Sequence, residues 1–366
     1  MRLQNYWWLL IWLFLFGAVS VAFIPKREEL VLGKKEVRWN WIAAALMAVP
    51  YVIWAGWRPN GFGDTGVYRA RFLAVPTTIS EAGSYIWEQS KDRGYALIEV
   101  VFKTLISPSD IAFFTVIAAI QIGCLVYIYR KYSKNYWLSI FLFVASTDYL
   151  SWMHNGMRQF LAATLIFACI PLMAKKKYIA MALVVVLASQ IHLSALIVLP
   201  FILIVNGRAW NIRTIIFIGG VIVSAFFLDR ITGFLADAME DTAYSGNIEI
   251  FLNDDGTNIL RVLFYSVPAM MSLLFRPSID AEDDPLINVC ANLAIIAAGF
   301  YVFSFFTSGV LIGRLPIYFS LSNYILIPWM LDKVFDRNSA LLVEAGFIGT
   351  YIIFFYYQVG VTWGRL

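Results

Sequence analysis

Ser151-Trp152-Met153-His154-Asn155-Gly156-Met157-Arg158-Gln159-Phe160-Leu161-Ala162 sets a turn, an imidazole and a guanidinium at the mouth of an apolar run. Beyond Arg158 the chain continues to Ala174 without another charge. An arginine therefore sits in the first turn of a membrane span, at its watery end. A guanidinium there is costly unless it snorkels to the headgroups or holds something negative.

The composition agrees with a membrane interior. Hydrophobic residues make up 60% of the 366, aromatics 17% and charged residues 14%, with a mean hydropathy of +0.72. A soluble domain carries about 25% charged residues. Many separate apolar runs approach the roughly 20 residues that a bilayer demands. The expected fold is all-α and polytopic: one membrane domain over residues 1–366, with about 10–12 transmembrane helices. Tyr6–Ile24 is followed by no small-residue cleavage site and reads as a retained span. Cys124, Cys169 and Cys290 lie inside apolar runs without metal-ligand spacing and read as small buried hydrophobes.

Spans are expected near 6–24, 39–57, 109–129, 136–150, 157–174, 178–190, 193–206, 214–228, 259–275, 286–307, 315–331 and 340–357. The basic clusters fall between them: Lys26, Arg27, Lys34, Lys35 and Arg38; then Arg130, Lys131 and Lys134; then Lys175, Lys176 and Lys177. All three share one side if the N-terminus is outside, and positive loops stay in the cytoplasm. The net charge of +4 is a topology signal of this kind and no indication of nucleic acid. Residues 179–205 are 27 in number, too few for two full spans at 1.5 Å per residue. They predict two short helices meeting near Gln190-Ile191-His192, with His192 at the tip. Residues 58–108 and 229–258 form long extracytoplasmic loops. In the first, Thr77–Ser90 and Gly94–Ile106 read as amphipathic helices at the membrane surface.

This topology gathers Arg58, Asp64, Tyr68, Asp92, Tyr95, His154, Arg158, His192, Tyr244, Arg314 and Tyr318 on the outer side. Both histidines of the chain are among them. Several arginines around one cavity suit a doubly charged anion, because guanidinium forks match phosphate oxygens. A histidine or aspartate beside them could act as a general base. Tyrosines suit stacking on sugar rings. The competing reading is structural: Arg158 and Arg314 snorkel, His154 caps a loop, His192 is a satisfied core residue. Arg69, Arg71 and Lys91 read as solvated or headgroup charges. No Asp-x-Asp, His-Glu-x-x-His, Walker or Rossmann pattern occurs, so no metal, nucleotide or other cofactor is expected.

Five pieces in order resemble the EpsG-like, Wzy-type exopolysaccharide polymerases of bacteria. They are Arg58 with Gly63-Asp64 and Tyr68; Arg93-Gly94-Tyr95; Asn155-Gly156-Met157-Arg158-Gln159-Phe160-Leu161-Ala162; Ile191-His192-Leu193-Ser194-Ala195-Leu196; and Arg314-Leu315-Pro316-Ile317-Tyr318-Phe319. The second departs from the family pattern, with Lys91-Asp92-Arg93 where an acidic residue and proline are usual.

The resemblance implies a metal-independent, GT-C-like membrane glycosyltransferase in the bacterial cytoplasmic (inner) membrane. It would join oligosaccharide repeat units carried on undecaprenyl diphosphate at the outer face. A flippase and a chain-length regulator are the partners implied. On this expectation Arg158 and Arg314 hold the diphosphate, with Arg58 as a third clamp. His192 or Asp64 is the base; imidazole titrates near working pH, which favours His192. Tyr68, Tyr95, His154, Tyr244 and Tyr318 contact sugar. An O-antigen-ligase-like transferase would share the fold and the arginines. A lipid-linked oligosaccharide flippase would place charges deep within the spans, whereas here they lie at the ends.

Overall fold

In the computed structural model, residues 6–24, 26–227 and 254–365 are described. Tyr244 and most of the 229–258 loop lie outside them. Helices dominate: α1 (Trp8–Phe23), α2 (Trp41–Gly56), α3 (Thr65–Ala74), α4 (Ile79–Trp87), α5 (Arg93–Leu105), α6 (Asp110–Tyr132), α7 (Tyr136–Ala145), α8 (Asp148–Met153), α9 (Met157–Ala168), α10 (Pro171–Ala174), α11 (Tyr178–Ser189), α12 (Val198–Ile204) and α13 (Ile212–Phe226). Beyond residue 254 come Ile259–Leu274, Arg276–Glu282, Pro285–Phe306, Ile317–Ser320, Asn323–Val334 and Arg337–Phe355.

Among the described residues four helices are long and apolar enough to cross a membrane: Asp110–Tyr132, Met157–Ala174, Pro285–Phe306 and Arg337–Thr362. A fifth arises if Ile259–Leu274 and Arg276–Glu282, bent by 64°, count as one span. The other expected spans appear as shorter apolar helices, and the one at 315–331 is divided between Ile317–Ser320 and Asn323–Val334. The chain is an all-α, multi-pass membrane protein. The break expected near 190–192 falls there: α11 ends at Ser189, a 3₁₀ turn occupies Leu193–Ile197, and α12 follows.

The described chain groups into two compact units. The first comprises 1–168, 190–192 and 331–366; the second comprises 169–189 and 193–330.

In the first unit α2 packs along α6, α6 along α9, and α1 against α7. Polar tips in these helices reach neighbouring carbonyls: Tyr149 Oη donates to Tyr51 O (2.7 Å), Tyr136 Oη to Ala44 O (2.8 Å) and Trp137 Nε1 to Leu13 O (2.8 Å). Lipid offers no partner for such groups, so each bond also orders a helix pair. The helices expected over 77–90 and 94–106 appear as α4 and α5, which pack on each other; Ala82 and Val100 join Val75, just after α3, in one apolar cluster.

One element was not expected. Lys26–Val31 (β1) and Lys34–Trp39 (β2) form an antiparallel hairpin where a basic loop was read. Its turn residues Leu32 and Gly33 both have positive φ (48° and 85°), as a tight hairpin turn requires. The bidentate guanidinium of Arg130, fully buried, clamps Glu29 and donates to Trp39 O at 2.7 Å. Lys134 pairs with Glu36. The hairpin thus closes one end of α2. The other end carries Arg58, roughly 24 Å away at 1.5 Å per residue.

In the second unit the Pro285–Phe306 helix presents two buried asparagines. Asn288 Oδ1 accepts from Ala209 N (2.8 Å) and Asn292 Oδ1 from Trp210 N (3.0 Å), while Asn292 Nδ2 donates to Val205 O and Arg208 O (3.0 Å each). The amides stand in for the backbone partners that the 205–211 turn lacks.

Candidate active site

At the Arg58 end of the first unit, three of the five motifs come together around Arg158, and the segment before the fourth adjoins them through Gln190. Its Nη1 lies 2.9 Å from Asp92 Oδ2. The guanidinium carbon is 5.9 Å from the Tyr68 ring and 5.8 Å from the Tyr95 ring. The Arg158 side chain is 24% exposed and that of Asp92 only 2%, so the pair is open on the arginine side. An aspartate oxygen on a guanidinium occupies the position a phosphate oxygen would take.

Asp92 has left-handed backbone (φ 60°) at the start of α5. The next turn docks on the 190–192 segment: Tyr95 N–H donates to Gln190 O at 3.2 Å. Close approach requires glycine at 94, because a Cβ there would lie 2.7 Å from Gln190 Cβ and 2.9 Å from its carbonyl oxygen. This contact brings the segment ending in His192 to the element carrying Asp92. Gly94→Ala is therefore expected to destabilise the protein by about 1–3 kcal/mol, as overpacking a close contact does. The melting temperature of the purified protein would measure it.

The first motif is fastened to the third. Asn155 Oδ1 accepts from Asp64 N at 3.1 Å, and Thr65 Oγ1 donates to His154 O at 3.3 Å. The Asp64 carboxylate makes no cap bond to α3 and is partly exposed. Arg58 faces inward and is 3% exposed. It donates to Met153 O and to Met157 Sδ and lies 4.3 Å over Phe114. Burial pulls its guanidinium down to about 10. It braces the 153–157 turn, and the clamp expected of it would require breaking these bonds.

His154 is 5% exposed, its ring 5.2 Å from both Phe62 and Tyr149. Burial, with Arg58 adding to it, pushes the imidazole down to about 3, so the ring is neutral at working pH. Tyr95 is fully buried, its ring lying 5.7 Å from the Arg71 guanidinium as well. Arg71 is not a solvated charge: its Nε is 2.9 Å from Oε2 of Glu99, a carboxylate 1% exposed. Burial raises the Glu99 carboxyl, against the pull of Arg71. Arg69 likewise pairs with Asp110.

Two contributors escaped the sequence reading. Arg365 Nη2 donates to Gly61 O (2.9 Å) and its guanidinium lies 4.8 Å over Phe62. Trp363 packs edge-on to the same ring at 6.1 Å. The last described residues thus hold the loop between Arg58 and Asp64.

The fifth motif belongs to the second unit. Arg314 ends a short 3₁₀ turn, Ile312–Arg314. Tyr318 Oη and Ser194 Oγ are 2.9 Å apart, so the motifs at 191–196 and 314–319 meet there. Tyr244 lies outside the described residues. Among the described residues no group of three or more His, Cys, Asp and Glu could hold a metal ion.

No curated protein and no solved structure matches the chain. The model of the EpsG family matches residues 41–362. That range includes all five motifs and every residue placed around Arg158, and it spans nearly the whole chain: the protein belongs to the EpsG family.

Proposed function

We propose that the protein is a polysaccharide polymerase, a GT-C-like membrane glycosyltransferase that joins oligosaccharide repeat units carried on a polyprenyl diphosphate. EpsG membership supports the broad class, exopolysaccharide synthesis in a membrane. The observation that carries the reading is Arg158: partly exposed, at a helix mouth, and already holding an anionic oxygen at 2.9 Å. The site lies at the opposite end of α2 from the basic hairpin. Positive loops stay in the cytoplasm, so this end faces outward, where lipid-linked repeats await assembly after a flippase has delivered them.

The growing chain on its lipid diphosphate is the donor, and a single lipid-linked repeat is the acceptor. The acceptor hydroxyl attacks the anomeric carbon, the C–O bond to diphosphate breaks, and the lipid diphosphate leaves. Arg158 takes up the negative charge that develops on the departing oxygen. Arg314 enters as a further diphosphate ligand on the strength of its motif. The hydroxyl proton goes to His192, at the break that docks on α5, or to the Asp64 carboxylate. Tyr68, buried beside Arg158, enters as a sugar contact on the strength of its motif. Diphosphate is a good leaving group, so the scheme needs no metal.

Purified protein supplied with polyprenyl-diphosphate-linked repeats in the presence of a chelator separates the two bases. If His192 is the base, His192→Ala loses about 10²–10⁴-fold in rate while Asp64→Asn keeps more. The reverse order transfers the role to Asp64. Full activity in both variants contradicts the proton-transfer scheme.

A further inference from the structure

We propose that Asp254 is a positioning residue that sets Arg314 in place for the substrate. The inference rests on the reading of Arg314 as a diphosphate ligand. Asp254 stands 60 residues before Arg314 in the chain, and nothing in its sequence surroundings links the two. In the second unit its carboxylate is the hub of the turn that leads into Arg314. Oδ2 accepts from Ser308 Oγ at 2.6 Å and from Val310 N at 2.7 Å. Oδ1 accepts from Gly256 N at 3.2 Å.

The bond to Ser308 matters most. Because the Ser308 hydroxyl spends its hydrogen on Asp254, its oxygen presents a lone pair to Leu311 N, 3.0 Å away. The Ser308 carbonyl then accepts from Ile312 N (3.0 Å) and Gly313 N (2.9 Å). One carboxylate thus orders the residue that caps the 3₁₀ turn ending in Arg314.

The two strands of chain lie too close for side chains. A Cβ on Gly309 would stand 2.7 Å from Gly256 O, and one on Gly313 2.6 Å from Thr257 Oγ1. Thr257 is held in turn by Ser304, with Oγ1 and Oγ 2.8 Å apart and Thr257 N donating to Ser304 O at 3.0 Å. Ser304 and Ser308 are fully buried. Such a knot has few alternative arrangements, because the buried Ser308 hydroxyl, once freed, would be left without water.

The test uses full-length purified protein and lipid-linked repeats at varied concentration. Asp254→Ala should lower kcat/KM about tenfold, as expected for loss of a charged acceptor shared by three donors. Asp254→Asn should fall between: it keeps an oxygen for Ser308 and Val310 but turns an NH₂ against Gly256 N. Gly309→Ala should match Asp254→Ala. A purely structural role would add to the loss of Arg314, whereas a positioning role is already included in it. The double variant Asp254→Ala/Arg314→Ala should therefore be no less active than Arg314→Ala. An additive double variant overturns the inference.

Hydrogen exchange over 308–314 provides a readout independent of activity. Faster exchange in Asp254→Ala supports the hub, and wild-type protection overturns it. If Arg314→Ala keeps wild-type activity, the role given to Arg314 fails as a functional reading. The exchange result then still decides whether Asp254 orders the turn.

Discussion

Arg158→Ala is expected to lose polymer synthesis by about 10²–10³-fold, the size seen when one donor to developing negative charge is removed. Arg158→Lys should recover only part of this. Lysine restores a positive charge but not the planar fork that meets two oxygens at once. The substitution has a second consequence, because it leaves the Asp92 carboxylate, 2% exposed, without its guanidinium. A buried carboxylate that loses its guanidinium costs on the order of 1–3 kcal/mol, so part of the loss comes from stability. Pairing the change with Asp92→Asn removes that complication. The double variant should regain thermal stability while remaining inactive. Activity per molecule and melting temperature, measured together, check both parts. Full polymer output from Arg158→Ala at equal protein level would refute the assignment.

The largest effect on stability is expected at the other end of α2. Arg130 is completely buried, holds Glu29 with both terminal nitrogens, donates to Trp39 O and lies 4.1 Å over the Trp41 ring. Removing one partner of a buried pair costs about 3–5 kcal/mol. Glu29 is 29% exposed and water relieves part of its loss, so about 3 kcal/mol is the better figure. Arg130→Ala should lower the melting temperature in detergent on the order of 5–10 °C. Because the hairpin lies roughly 24 Å from Arg58 along α2, activity per folded molecule should be unchanged. A wild-type melting temperature would mean that the hairpin clamp contributes nothing to the fold.

Arg130 also shows where the sequence was legible and where it was not. Long apolar runs report helices well, because burial in lipid is a property of each residue and its immediate neighbours. The apolar helical runs, the α4 and α5 pair, and the break at Gln190–His192 follow from such local rules. The hairpin did not, since its turn is Leu32-Gly33 and a leucine with φ of 48° carries no turn signal. Its strands read as a basic loop because their acidic partners face Arg130 and Lys134 about a hundred residues later.

The site follows the same division. The motifs around Arg58, Arg93, Asn155 and His192 were visible, and three of their junctions are contacts that only the fold creates: Arg158 with Asp92, Asn155 with Asp64, and Tyr95 with Gln190. Arg58 was read as facing substrate and instead holds Met153 and Met157. Arg71 was read as solvated, yet it neutralises Glu99, 28 residues on. A charge at a helix end looks the same in sequence whether its partner is water, a headgroup or a buried carboxylate. Arg365 and Trp363 carried no signal, because their role depends on the chain end returning to Phe62.

The most direct test of the central claim places the purified protein in liposomes with polyprenyl-diphosphate-linked repeat units and a chelator, and separates the products by size. A ladder of whole multiples of the repeat, absent with Arg158→Ala, is the predicted result. No ladder, together with passage of intact lipid-linked repeats across the bilayer, would contradict it and make the protein a transporter.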